Sequence, residues 1–131
     1  MHELDVPGPL RHLWTPASRE LARRAGLAKP AIYFVADTRQ DPAFEAEAVG
    51  LANSRTRPEM ANTVWVTAGA RDLPVVIAHE LAHVLGNSGA HSDAPHNLMR
   101  DGTAPGNVHL SAAQCRAITR AGSENRLLRP F

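Results

Sequence analysis

The chain has 131 residues, 44% of them hydrophobic, and its 14 Lys and Arg residues against 13 Asp and Glu residues leave a net charge of +1. This length is typical of one domain with a single core, and the near-neutral charge indicates neither nucleic acid nor an anionic membrane as a partner. The single cysteine excludes an intrachain disulfide, and no apolar run approaches the roughly 18 residues of a membrane span. We therefore expect one domain over 1–131, and a monomer.

The N-terminal region predicts one helix. Residues 1–14 contain two prolines and carry no assignment. Pro16 suits the first turn of a helix, and Gly26 is a typical stop signal after its last turn. Before Ala17 there is no apolar segment of the about 7–15 residues found in secretion signals, so the compartment stays open between the cytoplasm and a trimmed secreted domain.

Three strands are expected next. Ala31–Ala36 is rich in β-forming residues and follows a proline, which predicts a strand. A second apolar stretch covers Ala48–Ser54, and a third strand is predicted at Thr63–Thr67. For the middle stretch, a short helix over Ala43–Leu51 is the alternative, because its alanines and glutamates are good helix formers.

A long apolar helix then carries the pattern His-Glu-Leu-Ala-His. It is expected to run from Asp72 as the N-cap to Gly86, where glycine permits a left-handed end. Residues four apart lie on the same side of a helix, so His79 and His83 can bind one metal ion. Glu80 lies one step around the helix, where it can contact a water on that metal. This layout is typical of zinc hydrolases.

A third metal ligand is expected shortly after this helix, because a catalytic zinc usually takes three protein ligands and keeps one position for water. His91, Asp93 and His96 are the candidates in the following loop. Their spacing to Gly86 does not choose between them, since a glycine-containing loop can deliver any of the three.

The last predicted element is a helix that begins with a capping box. Ser111 and Gln114 supply the box, and the helix is expected to continue to about Ala121. Cys115 lies on this helix and is predicted to be a small buried residue. The predicted order is a helix, three strands, the helix that carries His79 and His83 (the metal helix), a loop and a closing helix. This order predicts an α+β fold, with helices backing a small mixed sheet of at least three strands.

The metal helix and the loop after it resemble the metzincin metallopeptidases, most closely their matrixin branch. In that family the third histidine precedes the methionine of a tight turn under the zinc by eight residues, as His91 precedes Met99 here. The resemblance therefore selects His91 as the third ligand. The family has two residues between the glycine and the third histidine, whereas 87–90 make four; we interpret this as a two-residue insertion, and His96 is the substitute if the insertion moves the chain differently.

The resemblance also implies a fold and the roles of several residues. It implies the small single-domain zincin fold, with Gly86 turning the chain beneath the metal and Met99 packing under the ligands. The matrixin edge strand above the cleft binds substrate as an added antiparallel strand. The residues that match this strand here are Gly50, Leu51, Ala52 and Asn53.

Together these residues predict a zinc-dependent endopeptidase with one Zn²⁺ and a peptide or protein substrate. The metal would activate a bound water, and Glu80 would take its proton and deliver it to the leaving amine. A zinc-binding domain with a structural or partner-binding role is the main alternative, and His96 or Asp93 would then be a fourth ligand. Two further alternatives are a hydrolase acting on a non-peptide substrate and a site that uses Glu124 as a ligand.

Overall fold

The computed structural model describes residues 16–36 and 45–129, so the unassigned segment 1–14 lies outside the described residues. These residues form three helices and one three-stranded mixed sheet, which confirms the predicted α+β class. The elements in chain order are α1 (Pro16–Ala25), β1 (Ala31–Val35), β2 (Ala46–Val49), β3 (Thr63–Thr67), α2 (Leu73–Gly86) and α3 (Ala112–Glu124). Two short 3-10 turns, Ala52–Ser54 and Pro58–Met60, connect β2 to β3. Within the described part of the chain, no helix has the length and apolarity to cross a bilayer.

The sheet has the order β1-β3-β2, with β3 in the centre. β1 is parallel to β3, and Ala31 lies opposite Thr63. β2 is antiparallel to β3, and Ala46 lies opposite Val66. Since β2 pairs with β3 alone among the described strands, its other side presents backbone groups that no described strand satisfies.

The core is divided between the two faces of the sheet and the space beneath α2. One face packs against α1, and there the rings of Tyr33 and Trp65 stack with centroids 4.3 Å apart. The other face packs against α2, with Val64 of β3 and Val84 of α2 both fully buried. Each such valine contributes about 1.5–3 kcal/mol by leaving water, so these contacts fix α2 across the sheet. The third cluster joins α2 to the loop before α3; it contains Ala82, Leu98 and Met99, with Val75, Leu110 and Ile118 packed against it.

The ends of α2 differ from the prediction in two ways. Asp72 is at the N-cap position, but its side chain accepts no capping hydrogen bond, and its carbonyl oxygen accepts from the backbone N–H groups of Val75 and Val76 instead. Gly86 is the last helical residue rather than the left-handed one. The left-handed residue is Asn87, with φ +45°, a conformation that asparagine tolerates better than most residues.

The second strand also differs from the prediction. It covers Ala46–Val49 rather than Ala48–Ser54, whose last three residues form a 3-10 turn. The alternative helix over Ala43–Leu51 is wrong at residues 46–49, because pairing with β3 supplies the backbone hydrogen bonds that a helix would otherwise provide.

α3 begins with the predicted capping box and extends three residues beyond the predicted end at Ala121. Ser111 Oγ accepts from the backbone N–H of Gln114 at 3.1 Å, and the Gln114 side chain accepts from the backbone N–H of Ser111 at 2.8 Å. The prediction for Cys115 is wrong, because its side chain is exposed on the outer face of the helix.

Candidate metal centre

Helix α2 presents two histidines to one cleft. His79 is buried and His83, one turn later, is half-buried. Their Nε2 atoms are 3.0 Å apart, and their ring centroids are 4.6 Å apart in an edge-on arrangement. The i, i+4 spacing therefore brings the two imidazoles to one point, as the sequence predicts.

The loop after α2 brings a third histidine to the same point. His91 Nε2 lies 3.2 Å from His83 Nε2, and the rings of His91 and His79 have centroids 5.4 Å apart. One nitrogen of each ring lies within 4.8 Å of the others. The described residues bring together no further His, Cys, Asp or Glu at this point. This three-histidine cluster can hold a metal ion.

The other two candidates in the loop lie outside the cluster. Asp93 is exposed, and its backbone carbonyl accepts from Arg100 Nη1 at 3.1 Å. His96 is exposed with φ +58°, and its carbonyl accepts from the backbone N–H of His109 at 3.0 Å. The structure therefore brings His91, and neither Asp93 nor His96, to the histidines of α2.

Backbone carbonyls fix the orientation of both helix histidines. His79 Nδ1 lies 2.7 Å from the carbonyl oxygen of Leu98, and His83 Nδ1 lies 2.7 Å from that of Ser88. A carbonyl can only accept, so each Nδ1 carries the proton that it donates. In the neutral rings, each Nε2 then presents a lone pair to the cleft.

Two facing lone pairs cannot form a hydrogen bond with each other. A proton on one Nε2 would resolve the 3.0 Å contact, but burial lowers the pKa of His83, and the charges of His79 and His91 lower it further. The Ser88 carbonyl acts in the opposite direction by favouring the charged ring. A cation bound between the nitrogens would satisfy these lone pairs, and the donor set therefore fits a metal ion.

The four residues between Gly86 and His91 form an ordered turn. Asn87 donates its backbone N–H to the carbonyl of Val84, and Ser88 donates its own to the carbonyl of His83 at 3.1 Å. Ser88 Oγ accepts from the backbone N–H of Ala90 at 3.2 Å. This turn thus contributes the Ser88 carbonyl that orients His83, a role for which the sequence contains no signal.

Glu80 lies beside the cluster and lines the same cleft. Burial raises the pKa of Glu80 to about 7, and the neighbouring His91 partly opposes the rise. Glu47 of β2 lines this cleft as well, and its pKa is raised by burial and then by the charge of Glu80. A carboxyl group with a pKa near neutrality can both accept and donate a proton at neutral pH.

The cleft has a volume of about 510 Å³ and lies between β2 and the loop after Met99. Of the residues predicted to bind substrate, Gly50 and Ala52 line it, whereas Leu51 is exposed and lines a neighbouring cavity. Asn53 lies in the 3-10 turn, so these four residues do not form the expected edge strand. The strand residues that line the cleft are 46–48 of β2, and residues 101–103 line it from the loop after Met99.

Met99 is buried in one core cluster with Ala82 and Leu98. Its backbone N–H donates to Asn97 Oδ1 at 2.9 Å, and its carbonyl accepts from the N–H of Ser92 at 2.8 Å. The methionine is thus a packed core residue, and its carbonyl is bonded to the residue that follows His91.

The centre combines three imidazole rings with the carboxyl group of Glu80 in an open cleft. Such an arrangement can bind a divalent metal ion and exchange protons with a molecule in the cleft. No model of a known protein family, no curated protein and no solved structure matches this chain.

Proposed function

We propose that this chain is a zinc-dependent endopeptidase of the metzincin type. His79, His83 and His91 hold one zinc ion, and Glu80 is the general base. The convergence of three Nε2 atoms within one cleft that Glu80 also lines supports this proposal most directly. The substrate is a peptide or an unfolded protein segment, and the 131 residues act as one catalytic domain.

Zinc fits the distances between the histidines. Two nitrogens at 2.0–2.1 Å from a tetrahedral zinc are about 3.3 Å apart, and the two shortest Nε2 separations here are 3.0 and 3.2 Å. Among residues 16–36 and 45–129, three ligands and no fourth converge, which is typical of catalytic rather than structural zinc. Zinc bound there would lower the pKa of water toward about 7 and polarise the carbonyl group of the substrate.

Glu80 moves the proton in this reaction. Its carboxylate accepts a proton from the attacking water, and the resulting acid donates that proton to the nitrogen of the leaving amine. Partial burial raises the pKa of Glu80 to about 7, which suits both steps. Its position one residue after His79 keeps the carboxyl group beside the cluster.

The side of β2 that faces away from β3 supports a peptide as the substrate. Residues 45–48 line the cleft, and their outward backbone groups can pair with an extended chain. The antiparallel edge strand, the helix with His79 and His83, and the buried Met99 further support the metzincin assignment. The docking strand that we propose is therefore β2, four residues before the predicted segment.

Replacing Glu80 tests the proposed chemistry. Glu80→Gln keeps the size of the side chain but removes the proton acceptor, so hydrolysis of a fluorescently labelled casein should fall by about 10²–10⁴-fold. Zinc content, measured by atomic emission, should stay at about one ion per chain. Glu124→Gln is the matched control: it makes the same change at an exposed position on α3 and should leave both values unchanged.

The alternatives predict different results. A zinc-loaded wild-type protein that cleaves neither casein nor a peptide library would overturn the endopeptidase and favour a structural or partner-binding zinc domain. Loss of zinc in Glu124→Gln would favour the site with a glutamate ligand. A folded protein that ignores added zinc at neutral pH would remove the metal centre itself.

A further inference from the structure

We infer that Gln114 of α3 is a positioning residue for His79, acting through Asn97 and the carbonyl group of Leu98. The inference rests on the proposed metal site, because its consequence is the strength of metal binding. It assigns a role to a side chain of α3 that does not line the cleft and whose hydrogen bonds go to Asn97 and Ser111 rather than to the three histidines.

The first step of this connection is the hydrogen bond between His79 and Leu98. His79 Nδ1 donates to the Leu98 carbonyl at 2.7 Å, which leaves Nε2 free to bind metal. If this carbonyl rotates away, the buried ring loses the partner that fixes its tautomer. The orientation of one peptide group therefore controls whether His79 is ready to bind metal.

The second step is the planarity of that peptide group. The carbonyl of Leu98 and the N–H of Met99 belong to the same rigid plane. Asn97 Oδ1 accepts from the Met99 N–H at 2.9 Å, and this bond prevents the plane from rotating. The Leu98 N–H donates to the His109 carbonyl at 2.7 Å and fixes the preceding peptide in the same way.

The third step is a reciprocal pair of amides. Asn97 Nδ2 donates to Gln114 Oε1 at 2.8 Å, and Gln114 Nε2 donates back to Asn97 Oδ1 at 3.1 Å. Asn97 is only 5% exposed, so without Gln114 part of its amide would be buried and unsatisfied.

Two backbone donors set the direction of this pair. The Ser111 N–H donates to Gln114 Oε1, so that oxygen faces Ser111 and Asn97 Nδ2. Gln114 Nε2 must then face Asn97 Oδ1, and the same oxygen must accept from Met99. Each amide has one arrangement in which all of these groups are satisfied. The Gln114 side chain, and not the Ser111 hydroxyl that caps α3, is thereby linked to the tautomer of a metal-ligand candidate.

Zinc affinity of the purified full chain tests the inference. Competition with a chromophoric chelator should show about 10–100-fold weaker binding in Gln114→Ala, the loss expected when the partner of a ligand histidine is disturbed. Gln114→Glu should also bind zinc more weakly. It keeps an oxygen for the Ser111 N–H, but a second oxygen replaces the amide donor that faces Asn97 Oδ1, so the two oxygens repel each other. Ser111→Ala is the control; it weakens the helix cap by about 1 kcal/mol but keeps the amide pair, so its affinity should stay within about twofold of wild type.

A second readout does not require metal or activity. Nitrogen NMR shifts of His79 in the metal-free protein should report Nδ1–H in wild type and Ser111→Ala, and a mixture of tautomers in Gln114→Ala and Gln114→Glu. Wild-type affinity and tautomer in both Gln114 variants would overturn the inference, and so would an equal loss of affinity in Ser111→Ala. If the wild-type protein binds no zinc, the proposed function fails, while the tautomer measurement still decides the role of Gln114.

Discussion

At the scale of single residues, the centre depends on which nitrogen of each histidine carries the proton. The carbonyls of Ser88 and Leu98 hold the Nδ1 protons of His83 and His79, and this directs both Nε2 lone pairs into the cleft. The ordered turn over 87–90 supplies one of these carbonyls. This four-residue turn therefore orients His83 and returns His91 to the helix histidines.

Alanine substitutions at two loop histidines distinguish the third ligand. His91→Ala removes an imidazole whose Nε2 lies 3.2 Å from that of His83, so zinc affinity should fall by more than about 100-fold, beyond the loss caused by disturbing a ligand's hydrogen-bond partner. His96→Ala makes the same chemical change five residues later on an exposed side chain and should keep wild-type affinity. Isothermal titration with zinc measures both variants. A larger loss in His96→Ala would reverse this ligand assignment.

At the scale of elements, prediction succeeded where the signals are local. Proline at the start of α1 and glycine after it mark that helix, and the serine and glutamine of the capping box mark the start of α3. β1 and β3 are continuous runs of β-forming residues, and the predicted bounds match β3 at both ends.

The element boundaries that prediction missed depend on distant contacts. Residues 46–49 have helix-forming side chains and become a strand only because β3 offers a partner. α2 continues through Gly86, a residue that packs close to Ile118 of α3, so a contact made 32 positions later accompanies the extra helical residue. Partners such as the Ser88 carbonyl have no sequence signal at all, because every residue carries the same backbone group.

An ion pair between α1 and the second 3-10 turn predicts a pH dependence of stability. Arg19 Nε donates to Glu59 Oε1 at 2.6 Å, and this hydrogen bond holds the pKa of Glu59 below its usual value. A lowered pKa in the folded state means that the stabilisation is present above the unfolded pKa and is lost as pH falls through the folded one. Glu59→Gln should therefore lower the free energy of unfolding at pH 7, by less than about 1 kcal/mol because Arg19 is 44% exposed.

Urea unfolding in steps from pH 7 to pH 3 measures this difference, which should shrink toward zero at the acidic end. The same substitution in an Arg19→Gln background should have a smaller effect at pH 7, since the closest ion pair of Glu59 is already broken while Arg23 and Lys29 remain. A difference that persists at pH 3, or that is undiminished in the double variant, would mean that the pair of Arg19 and Glu59 does not supply the stabilisation.

At the scale of the whole molecule, the candidate metal centre draws its histidines from two parts of the chain, which the third core cluster also joins. His79 and His83 belong to α2, which packs on the sheet, whereas His91 belongs to the loop that continues into Met99 and α3. A chain with one cysteine has no intrachain disulfide to link these parts. A metal ion bound by all three histidines would act as the crosslink.

Removal of zinc should therefore lower the thermal stability of the whole domain. A ligand that binds only the folded state stabilises it by about 4 kcal/mol when its free concentration is a thousand times Kd. For a domain of this size, that free energy corresponds to roughly 10–20 °C in Tm. Differential scanning calorimetry with zinc and with excess chelator measures the shift, and His91→Ala, which lacks one ligand, should show only a small part of it. Equal Tm values for the wild-type protein in zinc and in chelator would mean that the three histidines do not crosslink the fold through a metal.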